Sequence, residues 1–155
     1  MIQNSKKLTD FLIDAKKTTY AGEGNLTRPS RPESKDFKYE DDDYYYIDSY
    51  LGGTNFVGEE IVGMFNSKDT IWGMNYYGYM LVEKLPKGFS AFLKKSLKNV
   101  PVEAPFRGPA NFKELDYEYN CNWNGDIYRF RGKETIKYKG HYIYELVFHG
   151  GEVKI

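Results

Sequence analysis

Two glutamates, Glu60 and Glu134, occupy the same local pattern, Phe-x-Gly-x-Glu, once in each half of a 155-residue chain. In an extended strand every second side chain points to one face. Phe56, Gly58 and Glu60 therefore share a face, as do Phe130, Gly132 and Glu134. If that face points inward, each carboxylate is buried and needs a partner. Arg31 and Arg107, each in an Arg/Pro connector ahead of the strands, are the expected partners, because a guanidinium fork matches a carboxylate. The expectation is a pair of ion pairs fastening each connector to its sheet. The functional alternative is a polar cluster in a pocket that binds a ligand or transfers protons. Asp48, on a strand of tyrosines, and Tyr77 and His149, at matching places on the last strand of each half, complete the candidate ligand-binding residues. His149 and Tyr77 alternate away from the Trp72 and Phe148 side, so a surface or groove position is expected for both.

Other reactive types carry less. Cys121 with His149 or His141 would be a nucleophile and base, but a thiol needs a base in reach and a lowered pKa, and a buried cysteine usually acts as a small hydrophobe. One cysteine and two histidines are too few for a zinc site, so no metal and no cofactor is expected. The acidic run Glu40-Asp41-Asp42-Asp43 lacks EF-hand spacing and reads as a solvated hairpin turn. Gly52-Gly53 and Gly150-Gly151 are isolated pairs without a phosphate-cradling motif and read as turns.

The elements that must position these residues are written in the hydropathy pattern. Leu8, Phe11, Leu12 and Ala15 recur at helical spacing behind Asn4 or Ser5 as cap, predicting an amphipathic helix that ends before Gly22. Arg28-Pro29 and Arg31-Pro32 make the next segment an ordered loop or extended crossover. Strands are expected from Lys35 to Tyr39, over Tyr44–Leu51, Phe56–Met64 and Thr70–Met80, joined as a meander. A second helix opened by Pro86, with Phe89, Phe92, Leu93 and Leu97 as its stripe, stops before Pro101. A Pro-rich connector to Pro109 then leads into strands at Leu115–Trp123, Ile127–Phe130, Lys133–Tyr138 and His141–Phe148, with tight turns at Asn124-Gly125 and Lys139-Gly140. The fold class is α+β: antiparallel meander sheets carrying two amphipathic helices in a single domain, 1–155.

The two halves repeat one another. Tyr44-x-Tyr46-x-Asp48-x-Tyr50-x-Gly52 matches Tyr117-x-Tyr119-x-Cys121-x-Trp123-x-Gly125, and Phe56-x-Gly58-x-Glu60-x-Val62 matches Phe130-x-Gly132-x-Glu134-x-Ile136. Each run follows a helix and an Arg/Pro connector, so an internal duplication of a helix-plus-strands unit is expected, roughly 5–80 and 86–155. Either one long curved sheet or two facing sheets satisfies this pattern.

Composition narrows the classes. The 22 basic and 22 acidic residues cancel, and a nucleic-acid binder normally carries a basic excess. The 15 Tyr and 10 Phe favour pleated, half-buried surfaces. No apolar stretch reaches the length of a membrane span, and no apolar segment follows the N-terminal lysines, so a cytoplasmic location and no membrane partner are expected.

Ser30-Arg31-Pro32-x-Ser34-Lys35-Asp36, Asp48-Ser49-Tyr50-x-Gly52-Gly53, Met74-Asn75-Tyr76-Tyr77-Gly78, Pro105-Phe106-Arg107-Gly108-Pro109 and Phe148-His149-Gly150-Gly151, together with Phe56-x-Gly58-x-Glu60, resemble a family of uncharacterised bacterial domains. The resemblance spans almost the whole chain. It implies a domain found alone or behind an XRE-type helix-turn-helix, and it implies no activity. Only one helix precedes the Arg-Pro loop here, so no DNA-reading module is expected with it. Three roles are expected in descending order: a small-molecule or peptide binding module, an enzyme using carboxylate and tyrosine acid/base groups, and a protein-interaction scaffold.

Overall fold

The computed structural model describes residues 1–22 and 24–154. Eight strands form one continuous antiparallel sheet, which decides between the two layouts left open by the sequence. In chain order the elements are α1 (Ser5–Thr18), β1 (Lys35–Glu40), β2 (Tyr44–Gly52), β3 (Asn55–Met64), β4 (Thr70–Met80), α2 (Phe89–Lys98), β5 (Asn111–Glu114), β6 (Tyr117–Asp126), β7 (Arg129–Tyr138) and β8 (His141–Glu152). Across the sheet they run β1-β2-β3-β4-β8-β7-β6-β5, two meanders joined through the β4–β8 pair. The class is α+β.

Three local expectations need correction. The second meander has a short edge strand, β5, between the connector ending at Pro109 and the strand expected from Leu115, where no element was expected. Ile127–Phe130 and Lys133–Tyr138 are not separate strands. β7 runs unbroken through Gly132, and the turn falls at Ile127-Tyr128 rather than Asn124-Gly125. Gly125 stays in the ladder opposite Phe130 with a positive φ of 98°. The Asn-Gly pair thus marks a twisted ladder position, two residues short of the reversal.

α1 forms because its cap and stripe agree. The Asn4 side chain accepts the Lys7 N–H at 3.0 Å, and Leu8, Phe11, Leu12 and Ala15 are buried. Each of the larger side chains contributes about 1.5–3 kcal/mol on burial. α2 buries Phe89, Phe92, Leu93 and Leu97 and keeps Lys94, Lys95 and Lys98 outside. Both helices lie on one face of the sheet, α1 over β1 and β2, α2 against β6, and they touch one another. The core fills the space beneath them: Tyr46, Val62, Trp72, Met74, Phe106, Tyr119, Ile136, Tyr144, Leu146 and Phe148 are almost fully buried.

The two meanders pair in the same register. Asp48 lies opposite Glu60 and Cys121 opposite Glu134; Tyr50 faces Gly58 and Trp123 faces Gly132. The ladder slips once in each half, after Val62 and after the matching Ile136. At the join Tyr76 faces Phe148, flanked by Met74 opposite Gly150 and Gly78 opposite Leu146.

The Phe-x-Gly pattern has a steric cause. Gly58 lies beneath the Tyr76 ring, where a Cβ would come within 2.3 Å of the ring and its hydroxyl. Gly132 lies beneath the Phe148 ring, and its Cβ would meet that ring at 2.2 Å. Each aromatic side chain fills the space left by the missing side chain on its neighbour strand, which pins register as an aromatic laid over a sheet glycine does.

Candidate ligand-binding site

Between the end of α1, the first turns of α2 and the inner face of β2–β4 lies a cavity of about 360 Å³. That volume falls inside the range of about 300–1,000 Å³ typical of small-molecule sites. Its walls are mainly aromatic and aliphatic, with Phe56, Met80, Leu85, Phe89 and Leu93 among them. Its polar groups are few: Asp48 and Arg107, the phenols Tyr20, Tyr50 and Tyr76, and Lys35 and Ser90, both exposed residues. A second void of about 20 Å³, room for about one water, shares Tyr20, Asp48 and Arg107 and adds Lys16 and Glu60.

Behind these voids lies a buried charge cluster. Glu134 is fully buried and accepts four hydrogen bonds: Arg107 Nε at 3.0 Å and Nη2 at 2.8 Å, Tyr119 hydroxyl at 2.5 Å and Tyr144 hydroxyl at 2.7 Å. The Gly108 N–H in turn donates to the Tyr119 hydroxyl at 2.8 Å. Burial pushes the Glu134 carboxyl up, but the charge and hydrogen bonds of the Arg107 guanidinium, with the Tyr119 and Tyr144 hydroxyls, outweigh it and hold it below its ordinary value. Phe106, stacked on Phe130 at 3.7 Å between ring centroids, anchors the connector that delivers Arg107.

Glu60 is served differently. Its partner is Lys16 of α1, and both are buried. Arg31 does not reach it: the Arg31 side chain is on an exposed loop residue and donates to the Ser49 carbonyl at 2.9 Å and hydroxyl at 2.8 Å. The reason is the strand alternation. Ser49 points to the face opposite Asp48, and the 27–34 loop folds over that outer face at the β1 edge. There Ser30 N–H and the Ser49 hydroxyl donate to Asp36, and hydrogen bonds from Ser30, Ser34 and Ser49 overcome burial to bring Asp36 down to about 2.

Asp48 is the one carboxylate among the three residues that both voids share. It is 5% exposed and sits between Glu60 on the neighbouring strand and the Tyr76 hydroxyl, which donates to its Oδ1 at 2.6 Å. Burial and the Glu60 charge push its carboxyl up to about 7, against the opposing pulls of Tyr76, Lys16 and Arg107. Its Oδ2 has no hydrogen-bond partner among the described residues, nor does Arg107 Nη1. No buried side-chain polar atom among the described residues lacks a partner, so both atoms are reached from the voids. Tyr76 also carries the Arg107 guanidinium over its ring at 5.6 Å.

The structure thus brings Asp48, Glu60, Arg107 and Glu134 together on the inner face and leaves Arg31, Tyr77 and His149 elsewhere. Tyr77 is 45% exposed on the outer face, packed against Tyr79, and His149 is exposed beside Arg131 in a shallow open groove. Three residues of the site were missed in the sequence. Lys16 continues the Leu8, Leu12 row one turn further, and a lysine on an apolar stripe was the signal. Tyr20 follows the helix in a turn, and Tyr76 shares the Trp72 face; neither differs by type from the many other tyrosines.

Cys121 stands where Asp48 stands in the other half, buried beside Glu134. Burial and the Glu134 charge push its thiol up to about 12, the opposite of what a nucleophile needs. The acidic run is a turn in which Asp41 Oδ1 accepts the Asp43 and Tyr44 N–H groups at 2.8 and 2.7 Å. Among the described residues no helix is long and apolar enough to cross a membrane.

No curated protein and no solved structure matches the chain. A family model does match, over residues 48–153, a stretch that contains Asp48, Glu60, Tyr76, Arg107 and Glu134 and leaves out Lys16 and Tyr20. The chain belongs to the DUF5680 family, a domain of unknown function.

Proposed function

We propose that this protein is a small-molecule binding module, taking one compact ligand into the cavity between α1, α2 and β2–β4. The observation that carries this reading is the division of the cavity lining: apolar and aromatic walls around a floor where one carboxylate oxygen and one guanidinium nitrogen lack partners among the described residues. Such walls supply affinity by excluding water, and a few convergent polar groups orient the ligand. The acid/base-enzyme reading is less well supported, because Glu60 and Glu134 are each committed to a buried cation. A scaffold role would leave the cavity without a purpose.

The same reading accounts for the repeat. We take residues 5–80 and 86–155 to be duplicated units, of which only the first keeps a polar strand centre and an open space beside it. Asp48 is matched by Cys121, and Tyr76 by Phe148. A single buried thiol suits the reducing cytoplasm, here taken to be bacterial.

The test is a thermal-shift screen of a metabolite library on the protein and on Ser90→Trp. Ser90 is exposed on α2 and lines the cavity, so an indole there occupies the entrance without disturbing the core. A ligand at about 100 times its Kd adds about 2.7 kcal/mol, or roughly 5–10 °C of midpoint for a chain this size. Hits that vanish in Ser90→Trp support the reading; hits that persist there, or a library with none, sink it.

A further inference from the structure

Among the described residues, the inner face of the sheet holds three buried carboxylates, Asp48, Glu60 and Glu134, but only two buried cations, Lys16 and Arg107. Two of the carboxylates are matched: Glu60 with Lys16, and Glu134 with Arg107. Asp48 is the remainder. A buried charge without a partner is costly, and the site can relieve it in two ways, by a proton or by a cation. Asp48 Oδ2 opens onto the voids, so a cation from solution can reach it.

We propose that the ligand of this cavity is an organic ammonium ion with a compact apolar body, its nitrogen held on Asp48 Oδ2. This rests on the cavity being a ligand site, and it names the chemical class that the site selects. The surroundings fit a cation that carries carbon. Phe56 lines the cavity with no cation of the protein over its ring and can offer that face to an ammonium group, whereas Tyr20, Tyr50 and Tyr76 already carry Lys94, Lys35 and Arg107 over theirs. Phe89, Leu85, Leu93 and Met80 line it too, suited to an aryl or alkyl tail. A bare metal ion would find one free carboxylate oxygen, too few hard ligands for calcium or magnesium. Arg107 is no obstacle, since its charge is matched by Glu134 through two hydrogen bonds. Its free Nη1 can donate to a hydroxyl or carbonyl oxygen on the ligand.

Proton and ammonium then compete for the same oxygen. The groups facing Asp48 are Lys16 of α1, Tyr20 beyond it, Tyr46 and Tyr50 of β2, Glu60 of β3, Tyr76 of β4 and Arg107 of the connector with Glu134 behind it; Lys35 of β1 lines the cavity, and α2 contributes no titratable residue to it. No histidine is among them. Of these, Asp48 is the group brought to about 7, so the competition falls in the neutral range.

Isothermal titration with four probes of one shape decides the matter: 2-phenylethylamine, 2-phenylethanol, 3-phenylpropionate and phenylalanine. The amine is expected to bind at least ten-fold more tightly than the alcohol at pH 8, and the carboxylate not at all. Between pH 8 and pH 6 amine affinity should fall roughly ten-fold, as the ionised fraction of Asp48 falls, while alcohol affinity stays level. In Asp48→Asn the preference for amine over alcohol should disappear with alcohol binding retained, and circular dichroism reports whether that variant is folded. Alcohol or carboxylate binding better than the amine, or phenylalanine binding that is unchanged in Asp48→Asn, in each case blocked by Ser90→Trp, overturns the ammonium assignment and leaves the cavity a ligand site. Binding by none of the four at millimolar concentration also overturns it, and the library screen then stands alone as the test of the cavity.

Discussion

Asp48 and Glu60 face one another across the β2–β3 ladder, yet only Glu60 has a cation of its own. Two adjacent buried carboxylates cannot both ionise cheaply, so the proton settles on the one without a partner. Lys16 makes that choice. Its ammonium serves Glu60, and Asp48 is left with the neutral Tyr76 hydroxyl and an oxygen open to the cavity. Asp48 is thus the unbalanced member of this buried charge cluster.

The first prediction concerns pH. Asp48 titrates at about 7 in the folded protein against an ordinary 3.8, so between these values the folded state holds a proton that the unfolded chain has released. The stability this contributes is fully present below about pH 4 and is lost as pH rises through about 7. Asp48→Asn removes the titration. Urea unfolding at pH 5 and pH 8 should show the variant gaining on the parent by about 2–3 kcal/mol, at about 1.4 kcal/mol per unit of displacement. An unchanged difference between the two proteins across that range would mean that Asp48 is ionised throughout.

Glu134 should behave as a structural carboxylate. Glu134→Ala leaves the Arg107 guanidinium and two phenols without an acceptor in the core, which costs about 3–5 kcal/mol. Lys16→Met likewise strands Glu60, but Lys16→Met/Glu60→Gln removes both charges and should be less destabilised than Lys16→Met alone. Denaturant midpoints for the three variants and the parent check both statements. A double variant weaker than the single would assign Glu60 a partner beyond Lys16.

The sheet was legible in the sequence because alternation and turns agree over long strands: Tyr44–Gly52 and Thr70–Met80, runs of aromatic and small residues, leave one register in which both faces make sense. The Glu134–Arg107 pair was legible too, since both residues sit in the second half at spacing that a short connector can bridge. Its counterpart was not. Arg31 has the right type and the right Pro neighbour, but β1 and Ser49 draw its loop to the outer face, a matter of edge geometry that no residue type reports. Lys16 was legible only as an anomaly on the Leu8–Leu12 row, since helical spacing shows which face a residue takes and not what it meets there. The break imagined around Gly132 fails for a related reason. A strand glycine reads as a turn until the Phe148 ring that covers it is known.

That ring yields a comparison between the halves. At Gly58 an added Cβ meets the end of the Tyr76 side chain, which can lift; at Gly132 it meets both the Phe148 ring and the Asn122 carbonyl oxygen at 2.6 Å, which is backbone. Gly58→Ala should therefore cost about 1–3 kcal/mol and Gly132→Ala more, by denaturant unfolding. Gly58→Ala should also draw the Tyr76 hydroxyl away from Asp48. That hydrogen bond favours the carboxylate, so the Asp48 titration followed by carbon NMR moves upward from about 7. Equal costs at the two glycines, with no movement at Asp48, would show that the rings are free to slide.

Cys121 offers a readout of the core as a whole. It is the only cysteine, buried among Tyr119, Glu134 and Arg107, with its thiol pushed up to about 12 by burial and the Glu134 charge. The thiolate is the reactive form, and at pH 8 almost none exists in the folded protein. A disulfide reagent should therefore label the native protein only through opening of the sheet, at a rate that follows the equilibrium population of the open form. Adding urea below the unfolding transition should raise that rate with the slope of global unfolding, and Glu134→Ala should raise it further by removing the neighbouring charge and loosening the core together. Labelling that is fast in the native protein and indifferent to urea would instead place the thiol within reach of solvent, and the strand centre of the second half would then be open as that of the first is.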